Sequence, residues 1–238
     1  MDAGMELRGV VAGYGQGDIL RGLDLKVPAG QVTCLIGPNG SGKSTVLRVI
    51  SGLLAPRAGR VSLAGETVTG WLPRAMLEKG VALVPQERSL FPAMSVWDNM
   101  LMGGYISDDR GAVARRAAEV AERFPLVAQR RHALAGSLSG GEQKTVEIAR
   151  TLMLDPPVLC LDEPSAGLEP RARKTMFGIL AELSSDGRTI LLVEQNARSG
   201  LAIAHHGAVL DAGIVRLAAP ASELLESPDV GRLYLGAS

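Results

Sequence analysis

The chain contains one segment whose residue types and spacing suit the binding of a phosphate chain. This segment reads Gly37-Pro38-Asn39-Gly40-Ser41-Gly42-Lys43-Ser44, and Thr45 follows it. Phosphate oxygens need several donors at short range, and glycines let backbone N–H groups turn inward without Cβ clashes. Lys43 supplies a mobile charge for the β- and γ-phosphates, and Ser44 offers a hydroxyl to Mg²⁺. The pattern G-x-x-x-x-G-K-[S/T] predicts a nucleotide site over residues 37–45.

Two adjacent acids, Asp162 and Glu163, follow the apolar run of residues 158–161. In an open parallel sheet, ligands bind at the carboxyl ends of the strands, so we expect both acids at the edge that carries the phosphate loop. Asp162 would hold Mg²⁺, and Glu163 would be the general base that activates the attacking water. The alternative is that the acids only begin a turn before Pro164.

A second donor-rich helix start occurs at Leu138-Ser139-Gly140-Gly141-Glu142-Gln143. A serine followed by glycines at the beginning of a helix leaves backbone N–H groups available to an anion. A plain N-cap with a glycine turn is the alternative for this segment alone.

The three motifs, in this order, resemble those of the ABC (ATP-binding-cassette) ATPases, and the resemblance covers essentially the whole chain. Residues 138–143 resemble the LSGGQ signature, with Glu142 in its fifth place. The resemblance implies ATP hydrolysis by two subunits that meet head to tail. Each ATP would lie between the phosphate loop of one chain and Ser139, Gly140, Gly141 and Glu142 of the other. A helical lobe would pass the motion to a permease in the membrane.

The resemblance also assigns roles outside the three motifs. Tyr14 matches the aromatic residue that stacks on adenine, although it could be an ordinary exposed strand tyrosine. Gln86 matches the glutamine that contacts Mg²⁺ and water, and residues 165–170 match the segment that crosses the dimer interface. Two positions depart from the pattern: Glu169 replaces a common aspartate, and Gln195 replaces the switch histidine.

The exchange at Gln195 has a chemical consequence, because an amide can hydrogen-bond a γ-phosphate or position water but cannot take a proton. We therefore list Gln195 with Glu163 and Gln86 as a catalytic candidate. His205 and His206 lie about ten residues further along. We expect these histidines in a loop or at the surface rather than as substitutes.

Four short sequence segments indicate a subgroup of the ABC ATPases. They are residues 193–197, Phe91-Pro92, Arg130-Arg131-His132 and Tyr234-Leu235-Gly236. They resemble the second ATPase subunit of branched-chain amino-acid importers, which implies a further ATPase subunit, permease subunits and, indirectly, a periplasmic solute-binding protein as partners. The alternatives are urea or amide import, lipopolysaccharide export, a soluble ABC ATPase such as the iron–sulfur type, and a nucleotide-binding regulator with weak turnover.

Buried strands and amphipathic helices must position these motifs. Apolar runs with little alternation predict strands at residues 32–36, 81–84, 158–161, 189–193 and 208–210. Helical patterns cover residues 44–51, 111–123, 143–154 and 171–183. Alternation of strands and helices predicts an α/β fold of the P-loop NTPase type, with a mixed, mostly parallel sheet flanked by helices. Residues 7–14, 20–27 and 59–63 alternate more and predict an antiparallel β patch.

We predict a single domain over residues 1–238. Its catalytic core would comprise residues 1–91 and 155–220, with an inserted helical lobe over residues 92–154 that carries the signature. Pro125 would break or start a helix in the lobe. Residues 221–238 would form a C-terminal helix, at 222–225, and a tail.

Composition restricts the partners and the compartment. The 25 basic and 25 acidic side chains cancel, so no nucleic-acid partner is expected. Cys34 and Cys160 lie in apolar runs and are expected as small core residues. No run approaches the ~18 apolar residues of a membrane span, and the first seven residues lack an apolar core. We expect a cytoplasmic protein that lies on the inner face of the membrane through its partners.

Overall fold

The computed structural model describes residues 4–227 and residue 230. Its strands are β1 Met5–Ala12, β2 Leu20–Val27, β3 Val32–Ile36, β4 Ala58–Leu63, β5 Glu66–Thr67, β6 Val81–Val84, β7 Val158–Asp162, β8 Thr189–Val193, β9 His206–Asp211 and β10 Ile214–Pro220. Its helices are α1 Lys43–Ile50, α2 Pro73–Glu78, α3 Val96–Leu101, α4 Arg110–Arg123, α5 Pro125–Gln129, α6 Gly140–Leu152, α7 Pro170–Ser185, α8 Ala197–Leu201 and α9 Ala221–Glu226.

The strands form two sheets, as the sequence predicted. The larger sheet has the order β10-β9-β3-β8-β7-β6, and its pairs are parallel except for β9 with β10. The smaller sheet has the order β2-β1-β4-β5 and is antiparallel. The predicted mixed, mostly parallel sheet and the predicted antiparallel patch are therefore confirmed.

Helix α1 packs between the two sheets. Its residues Val46, Leu47 and Ile50 belong to an apolar cluster that also contains residues of β1, β2, β3, β7 and β8. All five residues of β3 and of β8 are buried, which explains why four of the five in each strand are apolar. Cys34 and Cys160 are buried and unpaired, so their predicted place in the core is confirmed.

Helices α3 to α6 follow one another between β6 and β7 and pack on the other face of the larger sheet. Pro125 occupies the first turn of α5, directly after α4 ends, and so it both breaks one helix and starts another. The division into a core of residues 1–91 and 155–220 and a lobe of residues 92–154 stays a prediction.

Several element boundaries were wrong. Helix α6 begins at Gly140, three residues before the predicted start, because Ser139 and Glu142 form a capping box. Tyr14 lies after β1 in a turn rather than in the strand. His206 is the first residue of β9 and half-buried, because its ring pairs with the Gln31 side chain at 2.6 Å.

Strand β10 was not predicted. It is an edge strand with mostly exposed or half-exposed residues, so its sequence carries little of the apolar signal that marks a core strand. It pairs with β9 through Ala212 and Gly213, whose φ angles of 48° and 82° suit a tight hairpin turn.

Helix α9 confirms the predicted C-terminal helix, with one further residue at each end. The predicted tail and the cue Tyr234-Leu235-Gly236 lie outside the described residues. Among the described residues, no helix is both long and apolar enough to cross a membrane.

Candidate functional site

The phosphate loop connects the buried strand β3 to α1. Gly42 is the N-cap of α1 with a φ of 107°, and Gly40 has a φ of 79°, conformations that other residues adopt only with strain. Gly37 lies against β9: a Cβ atom there would be 2.1 Å from the carbonyl oxygen of Leu210. The glycines at these positions are therefore required by the backbone path of the loop.

The Lys43 side chain curls back over this loop and is only 5% exposed. Its Nζ donates to the carbonyl oxygens of Gly37 at 2.9 Å and Pro38 at 3.1 Å, and lies 4.0 Å from Oε1 of Glu163. Burial lowers the pKa of Lys43, whereas the nearby Glu163 and Asp162 carboxylates oppose this shift. The result is a cationic group inside the loop with two acids beside it.

Asp162 lies at the end of β7 and reaches the first turn of α1. Its Oδ1 accepts a hydrogen bond from Ser44 Oγ at 3.2 Å. Burial raises the pKa of Asp162, while the Ser44 hydrogen bond and the charges of Lys43, Arg48 and Lys144 oppose the rise. A hydroxyl and a carboxylate oxygen thus lie side by side, which is a set of hard oxygen donors.

Glu163 leaves the strand in an unusual conformation, with a φ of 43°. Its N–H donates to the carbonyl oxygen of Val193 at 2.9 Å, which fixes this turn against the end of β8. Ala166 N–H in turn donates to the Glu163 carbonyl at 3.0 Å, so a turn does begin here. The Glu163 side chain nevertheless points into the cleft, where its Oε2 accepts from Gln86 Nε2 at 3.0 Å.

These groups surround a cleft of about 390 Å³. The residues that line it are Ile19, Asn39, Gly40, Gly42, Lys43, Ser44, Thr45, Gln86, Glu163 and Gln195. The structure thereby brings together nine of the predicted site residues, from three separate parts of the sequence and from the phosphate loop. Ile19 was missed by the sequence analysis, because an isolated apolar residue before β2 carries no motif.

The other predicted residues do not line this cleft: they are Tyr14, the signature residues 139–142, and Gly37, Pro38, Ser41 and Asp162 beside it. Tyr14 is 46% exposed, and its hydroxyl accepts from Arg48 of α1 at 2.8 Å, with the guanidinium 5.7 Å from the ring centre. Its stacking role stays a prediction. Ser139, Gly141 and Glu142 of the signature line a separate cavity of about 520 Å³, together with Glu169 at the N-cap of α7.

The N-terminus of α6, which carries the signature, is held in place by hydrogen bonds between Ser139 and Glu142. Ser139 N–H donates to Glu142 Oε2 at 2.8 Å, and Ser139 Oγ donates to the same oxygen at 2.7 Å. These bonds lower the pKa of Glu142, helped by the charge of Arg130. Gly141 is required by packing, because a Cβ atom there would lie 2.6 Å from Cβ of Ala172 in α7.

One buried acid near the cleft was missed by the sequence analysis. Glu194, only 1% exposed, accepts from Ser165 N–H at 3.1 Å and from Ser165 Oγ at 2.8 Å. It therefore links the segment after Glu163 to the segment that carries Gln195. A single acid after the apolar run of residues 189–193 belongs to no motif, so no sequence signal indicated that Glu194 would be buried.

Burial raises the pKa of Glu194 to about 7, and the nearby Glu163 adds to the rise while the Ser165 hydrogen bonds oppose it. The folded-state value thus lies above the ordinary value of 4.5, so protonation of Glu194 stabilises the fold. This contribution is complete below about pH 4.5 and is lost as the pH rises through about 7. Its full size is about 3 kcal/mol.

We predict that wild-type protein loses about 2 kcal/mol of unfolding free energy between about pH 5.5 and about pH 8, relative to Glu194→Gln. The amide cannot titrate, and it keeps the shape and the hydrogen-bonding capacity of the neutral acid. Urea unfolding of both proteins at the two pH values measures this difference. An equal stability gap at both pH values would contradict it.

A buried strand that runs through a glycine-rich loop into a helix, with an acid pair at the end of a parallel strand of the same sheet, defines the class of P-loop nucleotide hydrolases. Within that class, the sequence matches the family described as ABC transporter over residues 20–166. The chain belongs to this family.

Its relatives are transporter subunits. The high-affinity branched-chain amino acid transport ATP-binding protein BraG of Pseudomonas aeruginosa is 36% identical over 94% of this chain and 95% of its own length. The probable branched-chain amino acid transport ATP-binding protein LivF of Archaeoglobus fulgidus is 35% identical, over 94% and 95%. The lipopolysaccharide export system ATP-binding protein LptB of Escherichia coli is 33% identical, over 92% and 91%.

Solved cassettes share the fold. A nucleotide-free ATP-binding cassette from an ABC transporter superposes with a TM-score of 0.87 at 29% identity, covering 99% of this chain and 100% of that one. The ADP conformation of the cassette MJ1267 gives 0.86 at 28% identity, with 99% of both chains covered. A dimeric, post-hydrolysis cassette, MJ0796 with ADP and phosphate, gives 0.79 at 25% identity, over 94% and 99%. The chain is therefore an ATP-hydrolysing subunit of an ABC transporter.

Proposed function

We propose that this chain hydrolyses Mg-ATP in the phosphate-loop cleft to drive import of branched-chain amino acids through a separate permease. The observation that carries the proposal is the convergence of Lys43, Gln86 and Glu163 in one cleft. Lys43 and the loop amides of residues 37–45 would bind the β- and γ-phosphates. Tyr14 would stack on the adenine from the side of α1.

The donor set of this site fits Mg²⁺. Ser44 Oγ and Asp162 Oδ1 lie 3.2 Å apart and are both hard oxygen donors. Magnesium needs few protein ligands, because phosphates and water complete its octahedron. Ser44, Asp162 and the amide oxygen of Gln86 would hold the ion. When bound, Mg²⁺ supplies positive charge that offsets the negative charge of the phosphates.

Glu163 is the proposed general base. Its position beside Lys43 and its contact with Gln86 orient the carboxylate toward the cleft. There Oε2 would take the proton of the attacking water while Gln86 holds the same carboxylate in place. Gln195 also lines the cleft and would donate its amide N–H to the γ-phosphate or to the water.

A second ATPase subunit would complete the site. The signature residues Ser139, Gly140, Gly141 and Glu142 lie outside the phosphate-loop cleft of their own chain, and they present the N-terminus of α6. A helix N-terminus favours an anion. In a head-to-tail dimer, identical or mixed, this start would face the γ-phosphate held by the partner. The dimeric cassette among the structural relatives supports the pairing of two ATPase subunits.

Branched-chain amino acids are the proposed cargo, because two relatives that span nearly the whole chain are named for their transport. The permease subunits, and indirectly a periplasmic solute-binding protein, would then be partners. The chain would lie at the inner, cytoplasmic face of the membrane, bound to the permease. The equal balance of acids and bases offers no support for a nucleic-acid partner.

The test is ATP turnover by the chain in complex with its permease in proteoliposomes. We expect turnover to rise when a solute-binding protein loaded with leucine, isoleucine or valine is added. Urea, short amides and lipopolysaccharide serve as comparison substrates for the other transporters considered. Stimulation by one of these instead of by the amino acids would contradict the proposed cargo but leave the ATPase assignment intact.

A further inference from the structure

The segment that carries Gln86 is held by side chains of α3 and α6. We call residues 85–91 the Gln86 loop; it follows β6 directly. Three charged residues of α6, Lys144, Glu147 and Arg150, are spaced by three along the helix and face this loop. The proposed function gives none of the three a role.

Glu147 is the centre of these contacts and is only 1% exposed. Its Oε1 accepts from Ser89 N–H at 2.6 Å and from Ser89 Oγ at 3.0 Å. Its Oε2 pairs with Lys144 Nζ at 2.6 Å, and Lys144 Nζ also donates to the carbonyl oxygen of Pro85 at 3.1 Å. Arg150 Nη1 donates to the carbonyl oxygen of Ser89 at 2.8 Å. Residues on both sides of Gln86 are thus fixed to one helix.

Asn99 of α3 holds the far end of the same loop. It is fully buried, accepts from Phe91 N–H at 2.8 Å and donates to the carbonyl oxygen of Phe91 at 3.0 Å. On the other side, Gln86 Nε2 donates to Glu163 at the end of β7 at 3.0 Å. The loop is therefore anchored to the helices, while its glutamine reaches across to the catalytic edge of the sheet.

We infer that Glu147 is a positioning residue for ATP hydrolysis, because it bonds Ser89 directly and pairs with Lys144, which holds Pro85 on the other side of Gln86. These contacts aim Gln86 at Glu163. The inference rests on the proposed roles of Gln86 and Glu163. A buried carboxylate with a single ammonium partner and two hydrogen bonds to one loop residue holds that residue in a defined place. The same helix begins at the signature, so a displacement of α6 would displace Gln86 with it.

A double-mutant cycle on the full-length chain tests this inference. Glu147→Ala is expected to lower kcat for Mg-ATP about tenfold through misplacement of Gln86. The ATP dissociation constant should stay within about twofold, because the phosphate loop is untouched. Glu147→Gln should lose less, since its amide oxygen can still accept from Ser89. In a Gln86→Ala background, Glu147→Ala should change kcat by less than about twofold, because the two residues act through one contact.

Two outcomes overturn the inference in distinguishable ways. If Glu147→Ala lowers kcat equally in the wild-type and Gln86→Ala backgrounds, Glu147 does not act through Gln86 and only supports the fold. An unchanged kcat in Gln86→Ala alone would overturn the inference together with the proposed role of Gln86. Glu122→Ala on α4, an exposed glutamate, is the matched control and should leave kcat unchanged.

A second variant covers the case that Glu147→Ala does not fold because Lys144 loses its buried partner. Ser89→Ala removes the hydroxyl that donates to Glu147 and accepts from Arg150, and it leaves Lys144 paired with Glu147. Ser89→Ala is combined with Gln86→Ala in the same double-mutant cycle. We expect Ser89→Ala to lower kcat in the wild-type background and to change it by less than about twofold in the Gln86→Ala background. Hydrogen exchange should then be faster in residues 85–91 and unchanged in residues 37–44; faster exchange in both segments would overturn the inference.

Discussion

Glu163→Gln is expected to abolish ATP turnover while ATP binding remains intact. The amide cannot accept the proton of the attacking water, and loss of a general base typically costs roughly 100-fold or more in rate. Lys43, Ser44 and the loop amides keep their positions, because glutamine preserves the shape of the side chain and can still contact Gln86. The measurements are the steady-state release of phosphate and the affinity for Mg-ATP.

The same variant should trap a dimer with ATP bound. If ATP lies between two subunits, and hydrolysis is what releases them, a chain that binds but does not hydrolyse accumulates as the ATP-bound dimer. Size-exclusion chromatography with light scattering, with and without Mg-ATP, measures this. Glu78→Gln on α2, an exposed acid distant from the cleft, is the control and should behave as wild type. Turnover by Glu163→Gln at the wild-type rate would remove Glu163 from the proposed role.

Lys43→Ala is expected to weaken ATP binding by roughly 100-fold, because a charge-assisted contact to phosphate contributes about 3 kcal/mol. In the structure, Lys43 Nζ already lies within the loop, bonded to Gly37 and Pro38 and close to Glu163. Its removal takes away the cation that offsets both the phosphates and the two acids. Isothermal titration with ATP, in the presence and absence of Mg²⁺, measures the affinity.

The folding of Lys43→Ala must be checked in parallel, because Lys43 is buried. Thermal unfolding without nucleotide should remain cooperative, and only the stabilisation by added ATP should be lost. Lys26→Ala, an exposed lysine of β2, serves as the control and should bind ATP normally. Wild-type affinity in Lys43→Ala would contradict the phosphate-loop assignment.

Local sequence was enough to identify the phosphate loop, the acid pair and the donor-rich signature, although the predicted start of α6 was three residues late. In each case the chemistry lies in consecutive residues, so that glycine spacing, an apolar strand or a capping pair determines the conformation without help from distant parts of the chain. The same holds for strands β3, β6 and β8, whose boundaries match the prediction because they are buried on both faces. The edge strand β10 has no such signal.

Contacts between distant residues were decided by the tertiary structure. Gln86 and Glu163 are 77 residues apart, and Ser89 and Glu147 are 58 residues apart; each pair meets because β6 and β7 are neighbours in the sheet and α6 packs beside β6. Glu194 contacts Ser165 because β7 and β8 are adjacent. Sequence patterns report which residues are buried, but not which strands become neighbours. The order of the strands depends on packing contacts along the whole chain, so it is known only from the tertiary structure.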